Sequence, residues 1–213
     1  MLLGTATEGE PSADDLTIAT SGSTGITIRS GTSNSGNLFF SDGTSGNDEI
    51  RGYVQYLHAS NDLLLGTNAS ERLRIDSSGN FIFKNGAMVE NGNIDTTART
   101  GTQNTNLDAG MVVYYSTAST GTWKPNFRVS SSVSLNSIMA DGDVISPTLI
   151  VAKGATSHYA DTIQVDGSNV TPEWLGGAPT DGGGSGTFDT YSYTIIKTGN
   201  AAFKAFGSVS NYE

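Results

Sequence analysis

The regular interruption of the sequence by turn-forming residues constrains the fold most. Short apolar runs alternate with clusters of Gly, Ser, Asn and Asp, such as residues 41–48 and 77–80. Glycine and small polar residues favour turns and weaken helices, so no long helix has room to form. Strands separated by turns every 8–12 residues or so are typical of all-β sandwiches and barrels. The sequence therefore predicts an all-β protein.

Strict alternation of apolar and polar residues marks the first half of the chain. Leu73 and Ile75 alternate with Arg72 and Arg74, and residues 26–29 repeat the pattern. Period-two alternation is typical of strands that have one buried face and one solvated face. These runs are therefore predicted to be strands of a sheet.

The same runs are short, and each would bury few side chains, whereas ordering the backbone costs about 1–2 kcal/mol per residue. Several copies of the chain around one axis would share a larger core and cover the strand edges. Residues 1–85 are therefore predicted to form the slender, intertwined β stem of a homotrimer.

Longer apolar runs in the second half predict a separate domain. We expect strands at residues 110–116, 126–130, 144–151, 162–165, 190–197 and 202–209. This number of strands fits a β-sandwich or jelly-roll-like head at residues 106–213. Residues 86–105, which lack such runs, are predicted to connect the two parts. The only stretch compatible with a helix is residues 134–139.

Composition argues against several classes of function. The net charge is −10, from 21 acidic and 11 basic residues, so nucleic acid and anionic membranes would be repelled. No apolar stretch approaches the roughly 20 residues that span a bilayer, and we expect no membrane insertion. The absence of cysteine excludes disulfides, zinc-thiolate sites and a cysteine nucleophile. The first residues lack a basic region followed by an apolar core, so no signal peptide is expected.

Several segments resemble known sequences. Residues 66–80, which read Gly-Thr-Asn-Ala-Ser-Glu-Arg-Leu-Arg-Ile-Asp-Ser-Ser-Gly-Asn, resemble a recurrent stem segment of tail fibres of marine bacteriophages, of the cyanophage and pelagiphage kind. Residues 24–31 and 36–46 resemble the segment that precedes it. Residues 162–180 and 189–198 are similar to the terminal domain of such fibres.

The resemblance implies a homotrimeric virion appendage whose C-terminal domain meets the host. Other virion proteins, of the tail or the capsid, would be its partners, and a host cell-surface glycan or protein would be its receptor. Tail fibre, tail-tip spike and capsid fibre all remain open. A cysteine-free protein without a signal peptide could leave the host by lysis, as part of a phage particle.

Aromatic residues near Gly-rich loops are the best candidates for receptor contact. An exposed ring can stack on the apolar face of a sugar while polar side chains bind its hydroxyl groups. The candidates are Trp123, Tyr159, Asn169, Glu173 and Trp174. Tyr191 and Tyr193, on one face of a single predicted strand, are expected in the core.

Catalysis is not expected, although one enzymatic alternative stays open. Neither His58 nor His158 lies in a hydrolase motif. A small tailspike that degrades polysaccharide would need two carboxyl groups about 5–10 Å apart. Glu173 beside Trp174 is the best single candidate, with its partner among Asp161, Asp166 and Asp189. A purely structural decoration protein of the virion is the third interpretation.

No metal or cofactor is predicted. Asp141 and Asp143 could supply two oxygens, but a calcium site needs 6–8 oxygen ligands or so. They are interpreted as an acidic turn. Residues 182–186, Gly-Gly-Gly-Ser-Gly, are interpreted as a flexible loop, because no Lys-Ser/Thr follows as in a phosphate-binding loop.

Overall fold

The computed structural model describes residues 2–3, 12, 16–156, 158–180 and 187–212 of the 213-residue chain. Within these residues the protein is all-β, as predicted, with 18 strands and three helical segments of three to five residues. None of those segments is long and apolar enough to cross a bilayer. The chain divides into two compact units, residues 1–88 and 89–213.

The N-terminal unit contains a five-stranded antiparallel meander in which each strand pairs with the next. Its strands are β3 (Ser35–Phe40), β4 (Gly52–Leu57), β5 (Asp62–Thr67), β6 (Ser70–Ile75) and β7 (Phe81–Phe83). A separate parallel pair consists of β1 (Leu2–Leu3) and β2 (Thr17–Ile18). A 3-10 helix at Gly46–Ile50 connects β3 to β4.

One of the two alternating runs predicted in this unit is a strand. The alternation around Leu73 and Ile75 becomes β6. The alternating residues 26–29 form no strand, and Ile26 and Ile28 are exposed. An alternating run becomes a strand only where a neighbouring strand accepts the hydrogen bonds of its backbone. Among the described residues no strand pairs with residues 26–29.

The C-terminal unit consists of two sheets. The larger sheet has the strand order β16 (Glu173–Trp174), β18 (Ala202–Tyr212), β17 (Phe188–Gly199), β13 (Thr148–Ala152), β10 (Val112–Tyr115) and β8 (Asn93–Asp95), with β12 (Val144–Ile145) also paired to β17. The smaller sheet has the order β15 (Ser168–Val170), β14 (Ile163–Val165), β11 (Trp123–Arg128) and β9 (Gly101–Asn106).

From β8 to β11 consecutive strands alternate between the two sheets, and β13 and β14 continue this alternation, so that the chain winds into a coil. Strands β8, β10 and β13 pair in parallel in the larger sheet, and β9, β11 and β14 do so in the smaller one. The antiparallel hairpin of β17 and β18 then extends the larger sheet. This parallel coil differs from the antiparallel strand pairing of a jelly roll. Its two layers are those of a β-sandwich.

One hydrophobic core joins the two layers. Along β17 the residues Tyr191, Tyr193 and Ile195 point into it, while Ser192 and Thr194 point away. From the other strands the core receives Val113, Tyr115, Trp123, Phe127, Leu149, Val151, Ile163, Val165 and Ala205. Each fully buried large aliphatic or Phe side chain contributes about 1.5–3 kcal/mol. The prediction that Tyr191 and Tyr193 belong to the core is confirmed.

The predicted connection at residues 86–105 has to be corrected. It contains β8 and most of β9, which pair with β10 and β11 inside the C-terminal unit. The sequence of β9, Gly-Thr-Gln-Asn-Thr-Asn, has no apolar residue and so gave no sign of a strand. The boundary between the units lies between residues 88 and 89.

Candidate functional site

The edge strand β16 builds one side of a groove in the C-terminal unit. The Trp174 ring points inward, 5.8 Å from the Tyr193 ring, and its Nε1 donates a hydrogen bond to the backbone oxygen of Asp161 at 3.0 Å. Gly207 makes this possible, because a Cβ there would lie 2.7 Å from the Trp174 ring. Since side chains alternate along a strand, the adjacent Glu173 points outward.

The floor of the groove is a row of hydroxyl groups on the outer face of the larger sheet. Thr148, Ser192 and Ser208 are directly paired across β13, β17 and β18, and Thr194 lies beside them on β17. Within the described part of the chain none of these four hydroxyls hydrogen-bonds another protein group. The groove has a volume of about 490 Å³.

The rim of the groove carries apolar groups and one weak ion pair. Leu175 is 83% exposed and the Phe206 ring is 42% exposed. Lys204 Nζ lies 5.5 Å from the centroid of the Phe206 ring and 3.9 Å from Glu173 Oε1. Both charged side chains are more than half exposed, so solvent screens the pair and its energy is small. The rim therefore has no net charge.

The structure corrects the prediction for Trp123. This residue is only 2% exposed and its ring packs 5.9 Å from Tyr115 and 5.7 Å from Tyr191. The alternation of β11 turns Trp123 and Phe127 inward, which the isolated sequence around Trp123 did not indicate. Trp123 is a core residue and has no exposed face for a receptor.

The remaining candidates fall into two places. Glu173 and Trp174 both line the groove, Glu173 with an exposed side chain, whereas the ring of the half-buried Trp174 points inward. Asn169 is exposed on β15 of the smaller sheet, where its Oδ1 accepts a hydrogen bond from Gln164 Nε2 at 3.0 Å. Tyr159 is half-buried, and its backbone oxygen accepts a hydrogen bond from the backbone N–H of Trp123.

Sequence reasoning missed Phe206 and the row of hydroxyls. A signal was present, because Lys204, Phe206 and Ser208 alternate with Ala205 and other small or apolar residues along β18. Phe203 and Phe206 lie on opposite sides of β18, so the alternation alone does not show which side faces the solvent.

Two of the three possible carboxylate partners of Glu173 are already engaged. The Asp166 carboxylate accepts hydrogen bonds from the backbone N–H groups of Leu135 and Asn136, both at 2.8 Å. It thereby caps the short helix α1 (Leu135–Ile138). Asp189 forms a buried ion pair with Lys153, with 3.0 Å between Oδ1 and Nζ. Of the three, only Asp161 has a carboxylate without a described hydrogen bond or ion pair.

The other polar motifs have structural surroundings. His58 packs edge-on against Tyr56 in the N-terminal unit, whereas His158 belongs to the C-terminal unit. Asp143 Oδ2 accepts a hydrogen bond from the backbone N–H of Ala140 at 2.7 Å, as in an acidic turn. Among the described residues no three His, Asp or Glu side chains are grouped to hold a metal ion. Residues 182–186 lie outside the described residues.

A second surface of interest is one face of the meander, which we name the apolar face. One row of it crosses all five strands, as directly paired Leu38, Val54, Leu65, Leu73 and Phe83. The next row is Tyr56, Leu63, Ile75 and Phe81. Directly paired residues lie on the same side of a sheet. Phe81 is 65% exposed, and several of the other side chains are about half exposed.

The opposite side of the meander, which we name the polar side, carries the charged residues of these strands together with Phe39, Tyr53, Leu64 and Ile82. Gln55 Nε2 donates to Asn37 Oδ1 at 2.6 Å, and Arg74 binds Glu71 through two parallel hydrogen bonds of 2.8 Å. Arg74 Nη1 also lies 2.7 Å from Asp62 Oδ2. The hydrogen bonds from Arg74 lower the pKa of Glu71 to about 2. Internal bonds therefore hold the polar groups of this side, whereas most of the large side chains of the apolar face are exposed.

No known protein family, curated protein sequence or solved structure matches this chain.

Proposed function

We propose that this chain is a structural subunit of a bacteriophage fibre or spike that associates as a homotrimer and contributes to host attachment. The observation that carries the proposal is the apolar face of the N-terminal unit. Two rows of apolar side chains cross the meander, and neither row contains a charged residue. The copies of a fibre subunit would bury such a surface against one another.

A sister chain is the partner that fits this surface. A single sheet with one apolar side needs a second layer to bury it. The molecule that supplies this layer must be available whenever the chain folds. Another copy of the same chain meets this requirement, because it is made at the same time and in the same amount. Because neither row carries a charge, association through this face buries no like charges against each other, although each copy has a net charge of −10. Three copies is the number that the resemblance to phage fibres implies.

Two adjacent residues of β4 provide a matched test of the association. Val54 lies on the apolar face and Gln55 on the polar side. Sedimentation velocity of the full chain should give three times the mass of one chain. Val54→Lys should shift the protein to monomers or unfold the N-terminal unit, because a buried unpaired charge costs several kcal/mol or so. Gln55→Lys should keep the trimer.

Two results would contradict this part of the proposal. One is a wild-type chain that sediments as a monomer with its N-terminal unit folded. The other is a trimer that Val54→Lys leaves intact.

The place of the chain in a particle needs a separate experiment. Antibodies against the C-terminal unit, applied to intact phage particles for electron microscopy, should label a fibre or a spike. Regular labelling over the capsid shell would instead indicate a decoration protein. In that case the association would hold and the attachment role would not.

A further inference from the structure

We infer that the groove between β16 and the hydroxyl row binds a neutral saccharide. The inference deepens the proposed attachment role and rests on it only for the origin of the ligand, which would be the host surface.

The hydroxyl row fits the edge of a sugar ring. Each Ser or Thr hydroxyl can donate one hydrogen bond and accept two, as each hydroxyl of a sugar can. Thr148, Ser192 and Ser208 lie in register on three adjacent strands, about 4.7–4.9 Å apart in the direction across the sheet. Because these hydroxyls are not bonded to other described groups, a ligand would replace only water.

The rim supplies the apolar contact that a sugar needs. Phe206 is paired with Thr194 in the sheet and with Glu173 on the edge strand, so its ring stands beside the hydroxyl row. The exposed Leu175 extends the apolar rim. A pyranose ring presents C–H groups on its face and hydroxyls around its edge, which matches an aromatic ring next to a row of hydroxyls.

The charges of the groove favour a neutral ligand. Glu173 and Lys204 have opposite charges and face each other at 3.9 Å. The floor residues carry no charge. An anionic sugar would meet Glu173, and a cationic one would meet Lys204, so neither gains a net attraction.

Saturation-transfer difference NMR on the full chain tests this inference, with maltose, lactose and cellobiose as probes and sialyllactose as the charged comparison. At least one neutral disaccharide should receive saturation from the protein. Phe206→Ala and the double variant Ser192→Ala/Ser208→Ala should each weaken its binding roughly tenfold, the effect of losing one or two unstrained contacts. Both changes are on the surface, so circular dichroism melting should stay close to wild type.

A matched control lies one step further along the same two strands. Thr190 and Ser210 are directly paired and face the same side of the sheet, outside the groove. Thr190→Ala/Ser210→Ala should leave disaccharide binding unchanged. The inference fails if no neutral disaccharide binds, if the groove variants bind as well as wild type, or if only sialyllactose binds. A trimer without disaccharide binding would refute the groove and leave the fibre proposal standing, and a monomer that binds would do the reverse.

Discussion

At the scale of single residues, Arg99 is the most unusual side chain of the C-terminal unit. It is fully buried, and its guanidinium carbon lies 4.8 Å from the centroid of the Tyr115 ring. Instead of a carboxylate it binds the backbone oxygens of Thr117 and Ala152, at 2.8 and 2.9 Å. Burial lowers the pKa of Arg99 to about 10, so it remains a cation at neutral pH. Arg99 thus ties the loop after β10 and the end of β13 to the aromatic core.

Replacement of Arg99 by lysine should destabilise the C-terminal unit by about 1–3 kcal/mol, because an ammonium group cannot reproduce the planar fork and leaves buried carbonyls unpaired. Tryptophan fluorescence during urea unfolding measures this, since the only two tryptophans, Trp123 and Trp174, are both in this unit. Arg128→Lys is the control. It gives up one hydrogen bond to Asn106 at a partly exposed site and should cost less than about 1 kcal/mol. If Arg99→Lys and Arg128→Lys lowered the free energy of unfolding equally, this role of Arg99 would be contradicted.

At the scale of elements, the hydrogen-bonded ion pairs of β5 and β6 make the meander sensitive to acid. Glu71 has a pKa of about 2 in the folded protein and an ordinary value of 4.5. A folded pKa below the unfolded one gives stability that is complete above pH 4.5 or so and is lost as the pH falls toward 2.

The N-terminal unit should therefore lose about 1–2 kcal/mol between pH 5 and pH 2 through Glu71, after allowance for solvent screening. Hydrogen exchange of residues 62–75, followed by mass spectrometry, reports on this part of the sheet. Glu71→Gln should flatten the pH dependence. Glu49→Gln should leave it unchanged, because Glu49 is exposed and forms no ion pair in the described part of the chain. A wild-type slope that persists in Glu71→Gln would rule out this origin.

Elements set by local chemistry could be predicted from the sequence. Alternation gave β6. The hairpin turn between β14 and β15 is of the two-residue kind that an Asp-Gly pair favours, and Asp166 and Gly167 both have positive φ, 51° and 84°. The parallel coil could not be predicted, because Trp123 pairs with Gly101 across a long intervening segment and no local pattern encodes that register. The strand β9 was missed because it contains no apolar residue and so shows no alternation.

The candidate site was predicted only in part, because the sequence does not show which side of each strand faces the solvent. Glu173 and Trp174 were identified from their types and their neighbouring glycines. Phe206 was missed because a phenylalanine in a strand predicts core unless the sheet's solvated side is known. Trp123 was misplaced for the opposite reason, since its ring was expected at the surface and the coil buries it.

At the scale of the whole molecule, the two units differ in how their apolar side chains are covered. The two sheets of residues 89–213 enclose a core, with Phe127 and Leu149 fully buried between them. The meander of residues 1–88 has one sheet and leaves its apolar face exposed. A protein whose folding requires association has a stability that depends on protein concentration, whereas one that folds alone does not.

Separately expressed halves should therefore behave differently. The fragment 89–213 should be a monomer and unfold in one cooperative transition with a midpoint that is independent of its concentration. The fragment 1–88 should fold only as it associates, with a melting temperature that rises over a hundredfold increase in concentration. Differential scanning fluorimetry or circular dichroism measures both. If fragment 1–88 melted at the same temperature across that range, the meander would be stable alone and its apolar face would need no sister chain.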